Sequence, residues 1–244
     1  MNPARIAVIT PYHKEPIEML RECHESVLAQ GVDAHHYFIA DGHPQSDMMV
    51  NDKVSHVMLP NEHADYGNTP RGIGGILAVN ADFDYITYLD ADNWYHPNHL
   101  TSLIDLHKKT GADICCSFRT FHQSDRSAIL VDDPQEQALR HVDTNCYFLS
   151  KSAFEVASLW TRIPKQLAPV GDRVFKEYLK QKRYRLSFSK QKTVAYRTLW
   201  RDHYVAAGLK PPLNSKNLDT SFIGWLKTAQ GVKECVEKLG FYPV

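Results

Sequence analysis

Residues 85–94 read YITYLDADNW, and the change of character inside this stretch decides the fold. Tyr85–Leu89 is a short run rich in aromatic and β-branched residues, the composition of a buried strand. It stops at Asp90-Ala91-Asp92. On an extended backbone residues two apart share a face, so both carboxylates point the same way past the end of a sheet. Two like charges held close repel unless a cation lies between them or one is protonated. Such oxygen donors suit Mg²⁺ or Mn²⁺, which take one or two carboxylates and complete their shell with substrate phosphates and water. Alone, an Asp-x-Asp is equally a strand end followed by an acidic helix cap, so the flanking sequence decides.

Working outward, strand-like and helix-like segments alternate. Arg5–Thr10 reads as a buried strand. Pro16–Gln30 reads as a helix, with Ile17, Leu20 and Val27 at helical spacing and Gly31 closing it. Strands follow at His35–Ala40 and Ser55–Leu59. Pro70–Asn80 has helical character, weakened by Gly72, Gly74 and Gly75. Pro97–Thr110 is a helix with Leu100, Leu103 and Ile104 inward, and Asp113–Phe118 a further strand. Such alternation implies a mostly parallel sheet with right-handed crossovers. The second half is less regular. Ser124–Gln137 reads as loop, Thr144–Leu149 as strand, Ser150–Trp160 as a capped helix and Pro164–Gly171 as loop. Asp172–Lys182 reads as helix, Arg185–Ser189 and Thr193–Tyr196 as short strands, Leu209–Asp219 as loop, and Phe222–Leu239 as one final helix.

Composition narrows the function. The 244 residues suffice for one large domain or two small ones. The 28 basic residues balance 28 acidic ones, with no polybasic stretch for nucleic acid. Five scattered cysteines without zinc-like spacing fit free thiols in a reducing cytoplasm. The start carries no signal-peptide architecture. No apolar run approaches the ~18–20 residues that span a bilayer, so no integral membrane segment is expected. A peripheral place at the inner membrane face and a homo-oligomer both remain open.

In open α/β sheets ligands bind beyond the carboxyl ends of the strands. Those ends deliver Thr10-Pro11-Tyr12, Asp41-Gly42 and Asp90-Ala91-Asp92. A ring can stack on a planar base, and a lone carboxylate can accept from a base N–H or a ribose hydroxyl. A carboxylate pair can hold a metal against a diphosphate. Together they describe a site for a nucleotide diphosphate. Neither GxxxxGK[ST] nor a GxGxxG after the first strand is present, so metal and side chains must hold the phosphate.

The ordered motifs resemble family 2 glycosyltransferases with the GT-A fold. They are IAVITPYHKEP (6–16), FIADG (38–42), PRGIG (70–74), YLDADNWYHPNHL (88–100), TNCYFLSKSAF (144–154) and VGDRVFKEYL (170–179). The resemblance covers about residues 5–200. It implies an α/β, Rossmann-like mixed sheet flanked by helices over residues 1–200. The nucleotide-binding half would reach about 118, the acceptor-binding half would span 119–200, and 201–244 would be a C-terminal helical extension. It implies an inverting hexosyltransferase that moves a sugar from a UDP-sugar to a saccharide or other hydroxyl, with Mn²⁺ or Mg²⁺ as cofactor.

Carried over by position, Tyr12 would pack on the uracil with Thr10 and Pro11 beside it, and Asp41 would bind the uridine. Arg71 would sit at the base or diphosphate. Asp90 and Ala91 would approach the ribose, Asp90 being shared with the metal, while Asp92 would coordinate the metal directly and His203 would be a further ligand. Asp172 would deprotonate the acceptor hydroxyl. Trp94, His141, Asp143, Thr144 and Asn145 would line the acceptor side.

Two departures from the family pattern stand out. The usual second-strand ending is Asp-Asp-Gly-Ser, and here it is Ala40-Asp41-Gly42-His43. The usual base motif is Glu-Asp, and here Gly171 precedes Asp172. Plainer readings also exist: Asp172 suits a helix N-cap, and His96 and His99 suit a solvated first turn. His35-His36 reads as structural, and Trp160, Trp200 and Trp225 read as core. Two rival functions are weaker. A sugar-nucleotide nucleotidyltransferase needs a glycine- and base-rich loop after the first strand, which Thr10-Pro-Tyr-His-Lys14 does not supply. A non-catalytic nucleotide-sugar-binding protein has no need of Asp90, Asp92 and Asp172 together.

Overall fold

The computed structural model describes residues 3–48 and 50–243. The first half runs β1 (Arg5–Tyr12), α1 (Ile17–Leu28), β2 (Asp33–Asp41), β3 (Val54–Leu59), α2 (Asn68–Val79), β4 (Tyr85–Tyr88), β5 (Trp94–Tyr95) and α3 (His99–Thr110). The second half runs β6 (Ile114–His122), β7 (Ala128–Ile129), α4 (Pro134–Gln137), β8 (Tyr147–Ser150), α5 (Gly171–Gln181), β9 (Leu186–Arg197), α6 (Arg201–Ala206), α7 (Ser221–Leu226) and α8 (Ala229–Leu239). Among the described residues nine strands make one mixed sheet in the order β3-β2-β1-β4-β8-β6-β9-β5, with β7 paired to β6.

The apolar run of β1 fixes its place. From Ile6 onward every residue is buried, as a strand covered on both faces requires. It pairs in parallel with β2 and β4, and β2 in parallel with β3. The carboxyl ends of these four strands therefore open on one side of the sheet. The antiparallel strand β8 then sits between β4 and β6. It brings the segment before it, residues 141–146, against the end of β4. The strand β6 crosses the boundary at 118/119, so both halves share one sheet.

The three α2 glycines have a packing reason. A Cβ on Gly74 would lie 2.5 Å from Ile9 Cγ2 in β1. Cβ atoms on Gly72 and Gly75 would lie 2.5 Å from Thr161 Cγ2 and 2.9 Å from Ala157 Cβ. The helix is held between the sheet and a 3₁₀ helix at Lys151–Arg162. Helix propensity is given up for close approach. Gly74→Ala is expected to lower the unfolding free energy by about 1–3 kcal/mol through overpacking, measured as a lower urea midpoint.

Several segments differ from the sequence-based expectation. Ser150–Trp160 winds as 3₁₀ rather than α. Residues 165–170 form a 3₁₀ turn leading into α5. The polar stretch 124–137 contains β7 and α4. The two short strands expected near 190 are one long strand, β9, paired along β6 with register shifts. The final helix is broken because Thr228 Oγ1 accepts the Gly231 N–H at 3.0 Å and so starts α8 afresh. The α8 helix buries Cys235 and Leu239 in the main core. Among the described residues, no helix is long and apolar enough to cross a membrane.

Candidate active site

Two cavities open beyond the strand ends, and they share Arg71 and Asp90. The first, of about 440 Å³, lies over β1, β2 and β4 and is lined by Pro11, Tyr12, Asp41, Ala91 and Asp92, among others. The second, of about 330 Å³, is lined by His141, Asp143, Thr144, Asp172 and His203, among others. Tyr196 and Trp200 also border both. Trp200 is therefore a wall of the site, whereas Trp160 is core.

Arg71 is 3% exposed. Its Nη1 donates to Asn68 Oδ1 at 3.0 Å and its Nη2 to Asp90 Oδ1 at 2.7 Å. Its guanidinium lies over the Trp160 ring at 4.9 Å. The other Asp90 oxygen accepts from Asn145 Nδ2 at 3.0 Å. The Asp90 N–H donates to Asn145 Oδ1 at 2.5 Å. Asp90 is thus neutralised by Arg71 and fixed by Asn145, which lies 55 residues downstream and itself stays off the cavity walls.

Asp92 contrasts with it. Among the described residues no side chain bonds its carboxylate. Burial, then Asp90, then Glu15 raise its pKa to about 7, against the weaker pull of Arg197. A half-buried anion with this field around it is the donor a hard divalent cation requires, and Mg²⁺ commonly keeps only one or two protein carboxylates. The residues present fit that group.

The expected set of Asp90, Asp92 and His203 is not assembled. Their donor atoms do not all lie within 4.8 Å of one another. His203 belongs to the second cavity, with Nδ1 at 2.8 Å from Thr198 Oγ1 and its ring against Phe121 at 4.3 Å. Burial, then Arg119, lowers its pKa to about 4, so it is neutral.

The β1–β2 side of the first cavity is more self-contained than expected. The Tyr12 ring is 2% exposed and stacks on His56. Its hydroxyl accepts the Gln45 N–H at 2.9 Å and meets His56 Nε2 at 2.6 Å. Only a rim of the ring faces the cavity. Asp41 accepts from His63 Nδ1 at 2.6 Å and from the N–H groups of His63 and Ala64. It therefore fixes the loop that walls the cavity. Thr10 has no exposed surface, its hydroxyl lying 2.7 Å from His36 Nε2, so its side chain does not reach the site. Trp94 is likewise off both cavities. Its strand pairs with Val194 and Ala195, and Arg126 and Arg197 lie over its ring at 4.6 and 5.3 Å. His99 is not solvated either: it is 0% exposed and stacked on Tyr95.

The second cavity holds a close histidine–aspartate pair. His141 Nε2 lies 2.6 Å from Asp172 Oδ2, and His141 Nδ1 lies 3.3 Å from Asp133. Burial pushes His141 down, but Asp172 and Asp133 override it and raise it to about 9. Burial likewise pushes Asp172 up, and His141 and Arg119 override it to hold it below the ordinary carboxylate range. At neutral pH the two form an ion pair. Beneath them the buried Arg119 reaches Asp143 at 2.5 Å, Asp133 at 2.7 Å and Glu136 at 3.5 Å. Its guanidinium lies against the Phe121 and Tyr196 rings. Burial lifts Glu136 to about 7 despite Arg119.

Arg119, Asp133 and Glu136 escaped the sequence reading. Arg119 lies within the buried run of β6, and an ionic side chain among the apolar residues of a strand is the available signal. Asp133 and Glu136 lie in a stretch that reads as loop. Gly171, the departure from Glu-Asp, also has a structural cause: a Cβ there would lie 2.9 Å from both terminal atoms of Asn68.

Comparison with known proteins agrees with this architecture. The family model described as glycosyl transferase family 2 matches residues 7–162. No curated protein sequence matches. The crystal structure of S. aureus TarS 1–349 superposes with a TM-score of 0.62 at 12% identity, covering 96% of this chain and 72% of that one. The same TarS 1–349 in complex with UDP gives 0.60 at 12% identity, with coverage of 96% and 72%. At that identity the likeness shows the fold. Since the family model spans well over half of the residues, the chain belongs to glycosyl transferase family 2 and is a glycosyltransferase with the GT-A fold.

Proposed function

We propose that the chain transfers a sugar, with inversion, from a UDP-sugar in the first cavity to an acceptor hydroxyl in the second. The observation that carries this reading is the meeting of the two cavities at Arg71 and Asp90. An unpaired carboxylate, Asp92, lies on one side of that junction, and the His141–Asp172 ion pair on the other. The UDP bound by a structural neighbour supports the choice of nucleotide.

The roles of the residues follow from their charges. Asp92, held by one end of the sheet, would anchor the diphosphate side through a divalent cation, whose chemistry is to neutralise charge on the departing phosphate. Arg71 would balance the charge of Asp90 and hold it in place between donor and acceptor. Asp172 would accept the proton of the acceptor hydroxyl as its oxygen bonds to the anomeric carbon. The bond from that carbon to the phosphate oxygen breaks, and its electron pair leaves with UDP. Because the base lies in the cavity opposite the diphosphate, attack comes from the face opposite the leaving group. The experiment is UDP release from candidate UDP-sugars with Mn²⁺, with the anomeric configuration of the product read by NMR. Retention of configuration would overturn the mechanism.

Asp92 carries a pH signature. Its pKa is raised above the unfolded value, so the ion-free fold loses stability as pH climbs from the ordinary carboxylate range to about 7. Cation binding needs the ionised form. Mn²⁺-dependent UDP affinity should therefore rise about tenfold between about pH 6 and about pH 8, following the ionised fraction of a group titrating near 7. Asp92→Asn should flatten that slope and weaken UDP binding in Mn²⁺. Calorimetry that finds the variant's affinity unchanged would remove Asp92 from the metal site.

A further inference from the structure

At the rim of the first cavity three turns converge, each following one of three neighbouring strands. His13 follows β1, His43 follows β2 and Glu62 lies in the loop after β3. His43 occupies the place where the family pattern has serine. His13 Nε2 lies 3.1 Å from Glu62 Oε1, and His43 Nε2 lies 3.2 Å from Glu62 Oε2. The two imidazoles meet edge to face at 4.6 Å, and the three donor atoms all lie within 4.8 Å of one another. Among the described residues this is the one three-residue cluster of metal-ligating side chains at such spacing. His13 Nε2 is buried and lacks an aligned hydrogen bond, despite its short distance to Glu62.

The fold builds this cluster. Gly42 has φ +77°, and a Cβ there would lie 2.6 Å from Glu62 N. Only glycine lets the loop pass this close to the end of β2, and that contact puts Glu62 within reach of His43. Asp41 then fixes the same loop through His63 and Ala64. The site is therefore assembled by backbone contacts rather than by chance rotamers of long side chains.

We infer that His13, His43 and Glu62 form a site for a transition-metal ion of the zinc type, separate from the cation at Asp92. Two imidazoles and one carboxylate are borderline-soft donors that suit Zn²⁺, Ni²⁺ or Cu²⁺, whereas Mg²⁺ and Mn²⁺ favour oxygen. Zinc bonds of about 2.0–2.2 Å in tetrahedral geometry hold donors roughly 3.3–3.5 Å apart. The two contacts to Glu62 already stand close to that separation. Three protein ligands leave a fourth position open. An ion here would tie together the three turns that form the base-side wall, and His13 would belong to both the ion's shell and the cavity lining.

The test is equilibrium dialysis of the metal-free full chain against Zn²⁺ in excess Mg²⁺, paired with thermal unfolding. The unaltered protein and Asp92→Asn are both expected to bind zinc and to unfold at higher temperature with it, since a ligand selective for the folded state stabilises it. His43→Ser and Glu62→Gln should each weaken zinc binding at least about 100-fold, beyond the roughly 10–100-fold cost of losing a group that only orients a ligand. Both replaced side chains are about 41% exposed, and circular dichroism checks that the variants fold. Zinc affinity unchanged in either variant, or lost in Asp92→Asn, would overturn the assignment. Unchanged zinc affinity in His43→Ser or Glu62→Gln leaves the question of UDP binding through Asp92 untouched.

Discussion

The Asp172→Asn chain should release UDP about 10²–10⁴-fold more slowly than the unaltered one, the range of general-base assistance. Its UDP affinity in Mn²⁺ should stay the same, because Asp172 lines the second cavity and not the first. Asparagine keeps the shape and removes the anion that would take the hydroxyl proton. The substitution also takes from His141 the first partner that holds its proton, so the pKa of His141 should fall from about 9. The pH profile separates these effects. In the unaltered chain Asp172 is held below the ordinary carboxylate range, so its acid limb lies at low pH and not near neutrality. An alkaline limb near about 9 marks the loss of the His141 proton. Wild-type turnover in Asp172→Asn would assign the base elsewhere. A proportional loss of UDP affinity would make the effect structural.

The second large effect is on stability. Arg119→Met should cost about 3–5 kcal/mol of unfolding free energy, the loss that follows when one partner of a buried ionic group is removed. Arg119 is buried and faces Asp133, Glu136 and Asp143. Methionine fills part of the space between Phe121 and Tyr196 but leaves those carboxyl groups uncompensated. The deficit depends on pH. Asp133 is held below its ordinary value by His141 and Arg119 against burial. That depressed value contributes stability above the unfolded carboxylate range, which is lost as pH falls. The variant has lost much of that contribution already, so the gap between the two proteins should narrow in acid. Urea unfolding at several pH values measures it. A constant gap would mean that packing, not charge, is what Arg119 supplies.

These two sites show what the chain discloses locally and what it does not. The strands β1, β2, β3, β4 and β6 are legible because each is a short apolar run between turn residues, a property of neighbours in sequence; the two-residue β5 is defined by its pairing with β9 and carries no such run. The Asp90-Ala91-Asp92 pair is legible for the same reason. Its internal difference is not: Asp90 is bound by Arg71 and by Asn145, and Asp92 by neither. That distinction depends on α2, which carries Arg71, and on β8 inserting antiparallel beside β4, which brings Asn145. The Arg119 group is held by contacts 14 to 24 residues apart and carries no periodic signature. His99 is buried because its helix starts against β9, where Thr193 meets its Nδ1. A histidine two residues after a proline looks solvated only while that long-range partner is unseen.

The contact between Gly171 and Asn68 sets a rule for change at this site. A glutamate at 171 could not enter without moving the amide of Asn68, which fills the space its first carbon needs. Nor could Asn68 simply shrink to admit it, since that amide holds Arg71 and Arg71 holds Asp90. The two positions are therefore coupled: a side chain placed at 171 is transmitted through Asn68 and Arg71 to Asp90, so the residue before Asp172 bears on the carboxylate at the junction of the two cavities.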